Sequence, residues 1–297
     1  MDKKSVVLIN DKANFNVRYR STLMRSLIES GYEVENVGFF DGFKSFFLAF
    51  VFLFRRKKLI ISSNLRSNLL VLLVPWKHAL IILNGLGRWR KFKSFRIFLL
   101  ILLSINNKTA LVQNFADYRY IRRYANANLV WLPGSGGSVR DIGSNDDFLV
   151  VTRPEKLRYI FDSTLDFCRL YPKKTVYVIG CSADEVSKLA ESLCVSLNLK
   201  GLGYVDQGNL FKAGRSFIQP DGYGEGIPHS LIDALSSGMR CYIPRIAYVR
   251  FGLRLLGFQW IPTGNGWGEI NASFEAKKNI SNSHVNQLIT DCLMLKR

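Results

Sequence analysis

Short apolar segments alternate with longer amphipathic segments along the first half of the chain. The short segments predict strands and the longer ones predict helices. The predicted strands are residues 6–10, 33–38, 59–62, 81–83, 109–113 and 129–132. The predicted helices are residues 19–30, 44–54, 93–104 and 117–124. This alternation predicts a parallel sheet covered by helices.

The same alternation restarts after residue 147. Apolar segments at 148–152, 175–179, 199–205, 217–219 and 241–243 predict strands. Amphipathic segments at 155–170, 183–195 and 230–237 predict helices. The second half therefore also predicts a parallel α/β sheet.

A glycine- and serine-rich segment, residues 133–138, separates the two halves. Five of its six residues are Gly or Ser, which is typical of a linker. We therefore predict two doubly wound, Rossmann-like domains facing across a cleft, at residues 1–138 and 139–262. Residues 263–297 are predicted to pack back towards the first domain. Ligands of such sheets bind at the carboxyl ends of the strands.

Positive charge is concentrated in the first half. The chain has 41 Lys and Arg against 23 Asp and Glu, a formal net charge of +18. Residues 42–116 contain 13 Lys and Arg and no acidic residue. This excess indicates an anionic partner, such as a nucleic acid, a membrane surface or a phosphorylated substrate.

Apolar runs at 46–54, 69–74 and 97–105 lie within this basic segment. They are about half the ~20 residues that a transmembrane helix requires. The segment carries no RNA-binding or zinc-finger pattern, and we predict no nucleic-acid partner. The pattern favours a peripheral face on an anionic membrane. The alternative is a set of buried helices with a solvated basic rim.

Residues 221–238 carry the most informative motif. A glycine-rich turn follows the strand at 217–219, and Pro228 is suited to begin a helix. The free N–H groups and positive end of that helix suit a diphosphate. Glu225 and Asp233 are eight residues apart, so the two carboxylates could bind two parts of one ligand. The alternative is one solvated loop acid and one surface helix acid.

This stretch resembles the motif EG-x-P-x-x-L-x-EA-x-x-x-G of retaining glycosyltransferases of family 4. The matching residues are Glu225, Gly226, Pro228, Leu231, Ala234 and Gly238, with Asp233 in place of the second Glu. Residues 148–156 resemble the family's strand end GR-x-x-x-x-KG. Residues 16–23, 84–87 and 133–136 resemble segments of bacterial members that build lipid-linked polysaccharides.

The resemblance implies a GT-B fold with the nucleotide sugar bound by the second domain. It implies that Glu225, the predicted catalytic residue, binds sugar hydroxyls and that Asp233 binds the ribose. Phosphate contacts are expected from the backbone N–H groups of three residues: Gly226, Ile227 and His229. The donor diphosphate is expected to be held by two cations, Arg153 and either Lys156 or, because the spacing is shorter than in the family, Arg158.

The acceptor is expected on the first domain, near Arg18, Arg20, Asn84 and Gly85. The predicted reaction moves a sugar from a UDP- or GDP-sugar to a lipid-linked bacterial glycan, with retention of configuration. Scattered histidines and the lack of an Asp-x-Asp motif predict that no metal or other cofactor is used. The alternatives are a non-catalytic membrane- or nucleic-acid-binding module, and another GT-B enzyme such as a phosphorylase or an epimerase.

The expected location is the cytoplasmic side of the membrane. Residues 1–9 lack the pattern of a secretory signal. The cysteines number five and show no pairing pattern, which indicates reduced thiols. We therefore predict a cytoplasmic protein that is peripheral on the inner face of the cytoplasmic membrane.

Overall fold

A computed structural model describes residues 4–55, 58–74, 78–106, 108–192, 198–220 and 226–294. The chain divides into two compact units. In the described residues, the first unit contains 4–136, 226–227 and 282–294, and the second contains 137–220 and 228–281. The division falls after residue 136, two residues before the predicted boundary.

The first unit alternates strand and helix throughout. Its strands are β1 (Lys4–Asn10), β2 (Tyr32–Gly38), β3 (Leu59–Ser63), β4 (Ala79–Leu83), β5 (Thr109–Val112) and β6 (Asn128–Trp131). Its helices are α1 (Ala13–Glu29), α2 (Phe43–Phe54), α3 (Leu65–Leu72), α4 (Lys93–Ile105), α5 (Phe115–Tyr124) and, at the end of the chain, α11 (Asn282–Met294).

The strands of this unit form a parallel sheet in the order β2-β1-β3-β4-β5-β6. Buried residues of α1 and α11 share one apolar cluster with the sheet. Buried residues of α2, α3, α4 and α5 share another with its opposite face. The unit is therefore a helix–sheet–helix sandwich, as expected for parallel strands with apolar side chains on both faces.

The second unit repeats this plan and ends differently. Its strands are β7 (Phe148–Val151), β8 (Val176–Ile179), β9 (Leu199–Gly203), β10 (Ser216–Ile218), β11 (Arg240–Pro244), β12 (Phe258–Gly264) and β13 (Trp267–Ala272). Its helices are α6 (Leu157–Arg169), α7 (Ala183–Ser192), α8 (His229–Ser237), α9 (Arg245–Phe251) and α10 (Phe274–Asn279).

These strands form a sheet in the order β12-β13-β11-β10-β7-β8-β9. Strands β12 and β13 pair antiparallel with each other, and β13 pairs antiparallel with β11. Neither strand is predicted from the sequence, because their apolar residues do not alternate regularly. The predicted separate segment 263–297 is consequently divided: residues 263–281 extend the second sheet and its cover, and α11 packs on the first sheet.

The segment predicted to be a linker is buried and closely packed. Residues 133–137 are all buried. A Cβ on Gly136, whose φ is +86°, would lie 2.5 Å from the Asn282 side chain in the first unit. A Cβ on Gly137 would lie 2.3 Å from the Ser236 hydroxyl in the second. The glycines here permit close backbone packing. Residues 133–138 do join the two units, whose division falls after residue 136, but residues 133–137 do so as a buried, packed segment and not as a solvated linker.

Candidate functional site

The chain order of the second sheet reverses direction at β7. From β7 the chain proceeds to β8 and β9 on one side, then returns to β10 on the other side of β7. Strands β7 and β10 pair in parallel, with Ser216 opposite Phe148. Ligands of open α/β sheets bind at the carboxyl ends of two such strands. The two strongest sequence motifs follow β7 and β10.

The candidate cations lie directly after β7. Arg153 is exposed and precedes a short 3-10 turn, Pro154–Lys156, which leads into α6. Lys156 ends that turn and is half-buried. Arg158 is exposed on the solvent side of α6, beside the exposed Tyr159. Lys156 thus lies closer to the end of β7 along the chain than Arg158, and which of the two is the second phosphate cation stays a prediction.

The second motif leads into α8. Pro228 occupies the N-cap position, and its own side chain makes no capping hydrogen bond. The first helical residue, His229, is exposed, and the next turn of the helix is buried through Leu231 and Ile232. The helix dipole and the N–H groups of the first turn therefore suit an anion at this end. The predicted catalytic residue Glu225 lies outside the described residues, as do residues 221–224.

The two described residues before Pro228 belong to the first unit by their contacts. Ile227 is buried, and Gly226 is half-buried. A Cβ on Gly226 would lie 2.9 Å from the Gln113 carbonyl oxygen. Glycine is therefore required at 226 by close backbone packing, whether or not its N–H binds phosphate.

Asp233 has a set of partners that the sequence does not predict. Its Oδ1 accepts a hydrogen bond from the Ser138 N–H at 2.9 Å. Its Oδ2 accepts one from Arg140 Nε at 2.9 Å and lies 2.7 Å from Arg140 Nη2. The side chains of Arg140 and Asp233 are only 16% and 11% exposed. A ribose hydroxyl would have to share these oxygens, and the ribose role of Asp233 stays a prediction.

Arg140 is a residue that sequence reasoning missed. Its backbone N–H donates to Ser237 Oγ at 2.9 Å, and its Nη1 donates to the Gln207 carbonyl at 2.7 Å. Together with the Asp233 contact, these bonds hold the chain after Ser138 against α8. No local motif identifies the pair, because Arg140 and Asp233 are 93 residues apart.

The strand order of the first sheet also reverses, between β1 and β3. The chain passes from β1 to β2 on one side and then to β3 on the other. The residues at these two strand ends contact each other: Asn64 Nδ2 donates to Asn10 Oδ1 at 2.6 Å. Asn64 has a φ of 70°, in the left-handed region that asparagine adopts more readily than most residues.

A row of asparagine amides extends from this point in both directions. Asn10 donates to Asn16 at 2.8 Å, and Asn16 donates to Asn36 at 2.8 Å. On the other side, Asn84 Nδ2 donates to Asn64 Oδ1 at 3.0 Å. We call these five residues, Asn36, Asn16, Asn10, Asn64 and Asn84, the asparagine row.

Two of the predicted acceptor-side residues join this row. Arg20 Nη2 donates to Asn84 Oδ1 at 3.1 Å, and Arg20 Nη1 donates to Ser135 Oγ at 3.1 Å. Gly85, beside Asn84, has a φ of 149°. Arg18 is exposed, and its guanidinium lies 5.3 Å from the Tyr19 ring centre. The structure therefore brings Arg20, Asn84 and Gly85 together, and Arg18 lies apart from them on α1.

Comparison with solved structures shows where this architecture occurs. HepE from Anabaena, in a crystal structure with UDP-glucose, matches with a TM-score of 0.61 and 13% identity over 98% of this chain and 91% of that chain. UDP-GlcNAc 2-epimerase from Neisseria meningitidis, bound to UDP-GlcNAc, matches with a TM-score of 0.55 and 10% identity over 98% and 100% of the two chains. The fold is GT-B. No protein-family model matches the sequence, and no curated protein matches it significantly.

The GT-B chain exposes apolar side chains on the helical layer that holds α2 and α4. On α2, Phe43 is 85% exposed and Phe47 is 61% exposed. On α4, Ile97, Phe98 and Ile101 are about half exposed. The cations Lys44, Lys91 and Lys93 are exposed on the same helices or beside them. These exposed side chains of α2, α4 and residues 89–93 form what we call the basic–apolar face.

Two further results bear on the site. None of the helices in the described part of the chain is long and apolar enough to cross a bilayer. Within the same residues, no cluster of three or more His, Cys, Asp and Glu side chains could hold a metal ion. The predicted independence from metal stays a prediction, because Glu225 and its neighbours are outside the described residues.

Proposed function

We propose that this protein is a glycosyltransferase that uses a UDP- or GDP-sugar. The acceptor in this proposal is a lipid-linked bacterial glycan, and the anomeric configuration is retained. The second unit binds the nucleotide sugar, and the first unit binds the acceptor. Solved structures of the same fold hold UDP-glucose or UDP-GlcNAc, which supports a nucleotide sugar as the ligand.

One observation carries the donor assignment. The cations after β7 and the start of α8 after β10 follow two paired strands at the point where the sheet reverses. A diphosphate at this point would meet Arg153 and Lys156 from one strand end and the N–H groups of α8 from the other. Charged hydrogen bonds of this kind contribute about 1.5–3 kcal/mol each.

The proposed chemistry rests on positioning and on stabilising the leaving group. As the sugar leaves, negative charge grows on the diphosphate, and the two cations and the helix N-terminus stabilise that charge. Glu225 in this proposal binds sugar hydroxyls and orients the ring. Arg140 neutralises Asp233 and fixes the chain beside α8, so it is a positioning residue.

The basic–apolar face supports a lipid-linked acceptor. Lysine side chains attract anionic headgroups, and exposed Phe and Ile side chains enter the interfacial region without spanning the bilayer. In this proposal the protein is peripheral on the cytoplasmic face of the membrane, where a lipid-carried acceptor is found.

An epimerase is the second candidate, because UDP-GlcNAc 2-epimerase shares the fold over the full length of both chains. A transfer assay separates the two. The purified protein is incubated with radiolabelled UDP- and GDP-sugars, with and without a bacterial lipid extract. Label in the organic phase, dependent on the lipid, supports the transferase. A changed sugar in the water-soluble fraction without lipid supports the epimerase, and no reaction with any donor contradicts both.

A further inference from the structure

Within the residues that the structure describes, the carboxyl edge of the first sheet contains a buried positive charge that no carboxylate pairs with. Arg20 is 5% exposed, and it donates hydrogen bonds to the side chains of Ser135 and Asn84, both neutral. Among the described residues, no carboxylate forms an ion pair with it. Burial lowers the pKa of Arg20 to about 10. Burying an uncompensated guanidinium is costly, and a nearby anion reduces that cost.

The groups around Arg20 are donors that solvent can reach. Asn84 is exposed and Asn64 is half-buried, and each amide nitrogen has two N–H groups. Each of these nitrogens uses one N–H within the asparagine row, for the bonds Asn84 to Asn64 and Asn64 to Asn10. The other N–H of each can donate to a ligand.

The position of this cluster in the sheet also indicates a ligand. Asn10 and Asn64 lie at the ends of β1 and β3, where the order of the first sheet reverses. Such points are the usual binding crevices of open α/β sheets. The nearby carboxylates are engaged elsewhere: Asp11 accepts from the Ser67 N–H and hydroxyl, and Asp117 accepts from the Leu86 N–H at 3.0 Å.

We propose that Arg20, Asn84 and Asn64 form a phosphate-binding site on the first unit. Asn84 and Asn64 contact the phosphate oxygens, and Arg20 is the positioning residue that orients the Asn84 amide and supplies the charge. The inference rests on the proposed function for the identity of the ligand, which is then a phosphoryl group carried by the acceptor.

The test is a calorimetric titration of inorganic pyrophosphate into the full-length protein already saturated with UDP. UDP fills the donor site, so a further saturable heat reports a second phosphate site. We expect such binding to the unmodified protein. Loss of all pyrophosphate binding once UDP is present would show that only the donor site accepts phosphate, and would overturn the proposal.

Two variants at one position separate charge from shape. N84A removes the amide and should weaken pyrophosphate binding about threefold, whereas N84D places a carboxylate beside the guanidinium and should weaken it at least tenfold. The control is N126D, which makes the same charge change at an exposed residue between α5 and β6. If N84D and N126D weaken pyrophosphate binding equally, net charge alone explains the effect, and the proposed site is wrong.

The variants also distinguish this inference from the proposed function. UDP affinity should stay within twofold in N84A and N84D, and thermal melting of both should show a folded protein. If UDP binds but pyrophosphate does not bind beside it, the phosphate site is wrong and the donor assignment stands. If UDP fails to bind and pyrophosphate binding still depends on Asn84, the phosphate site stands and the proposed function fails.

Discussion

Each sheet has a point at which the strand order reverses, between β1 and β3 in the first and between β7 and β10 in the second. These two reversal points carry different polar groups. The first is lined by neutral amides, with one buried arginine behind them. The second has cations after β7, the start of α8 after β10, and an aspartate neutralised by Arg140. The same sheet topology thus offers amide donors and acceptors in one unit and fixed charge in the other. Each set suits a different part of a transfer reaction.

The charges of the two halves of the chain differ as well. Residues 1–144 have 23 Lys and Arg against 8 Asp and Glu, so their net charge is 23 − 8 = +15. Residues 145–297 have 18 against 15, so theirs is 18 − 15 = +3. The basic–apolar face belongs to the first unit. In the proposed function, this difference makes the first unit the one that meets the membrane.

The largest expected effect is on catalysis and tests the charged reversal point. Glu225→Gln keeps the size of the side chain and removes its charge. We expect kcat to fall on the order of 10²-fold, because a hydrogen bond that strengthens in the transition state is weakened. The measurement is the initial rate of sugar transfer at saturating donor. Asp184→Asn, on the exposed start of α7, is the control, and an unchanged rate in the Glu225 variant would remove that residue from the mechanism.

The next effect is on stability and tests the Arg140–Asp233 pair. Arg140→Ala leaves a mostly buried carboxylate without its partner, so we expect the free energy of unfolding to fall by about 2 kcal/mol. Arg169→Ala is the matched control, because Arg169 and Asp166 form an exposed pair at 62% and 66% exposure. The control should change stability by less than about 0.5 kcal/mol. Urea unfolding measures both, and equal losses would contradict a structural role for Arg140.

The last effect concerns membrane binding and tests the contrast between the two surfaces. Charge reversal at Lys44, Lys91 and Lys93 should weaken co-sedimentation with anionic vesicles on the order of 10²-fold, since each of the three cations near the surface contributes about 1 kcal/mol. High salt should weaken the binding of the unmodified protein to these vesicles in the same way. Lys58 is left unchanged because it pairs with Glu35.

The control for that experiment is the same reversal at Lys173, Lys188 and Lys200, which are exposed on the second unit. These changes should have little effect on sedimentation. If both triple variants release the protein equally, net charge alone governs binding. If neither does, the basic–apolar face is a solvated surface.

The fold could be predicted from the sequence because strand and helix periods alternate clearly through residue 243. The two-domain α/β plan follows from that alternation, and the division near residue 136 follows from the Gly/Ser segment at 133–138. The GT-B architecture was implied by the resemblance of residues 221–238 to family 4 glycosyltransferases. Strands β12 and β13 could not be predicted, because their pairing with β11 is tertiary and their pattern is irregular. The burial of residues 133–137 also could not be predicted, because glycine permits both chain flexibility and close backbone packing.

The site was predictable where it is local in sequence. Arg153, Lys156 and the start of α8 each follow a strand end, which periodicity can locate. The Arg140–Asp233 pair and the asparagine row join residues from distant segments, so no spacing reveals them. The placement of asparagines at the last position of β1 and directly after β3 and β4 is the one signal that could have indicated the row.

The most direct test of the central claim is a calorimetric titration of UDP and GDP, with AMP as the reference nucleotide. If the second unit holds a diphosphate at β7 and α8, UDP or GDP binds saturably and AMP binds at least tenfold more weakly. Arg153→Ala and Lys156→Ala should each then weaken that binding by roughly 10- to 100-fold, while Arg158→Ala should not. Absence of binding by either diphosphate, or equal binding in all three variants, would contradict the account.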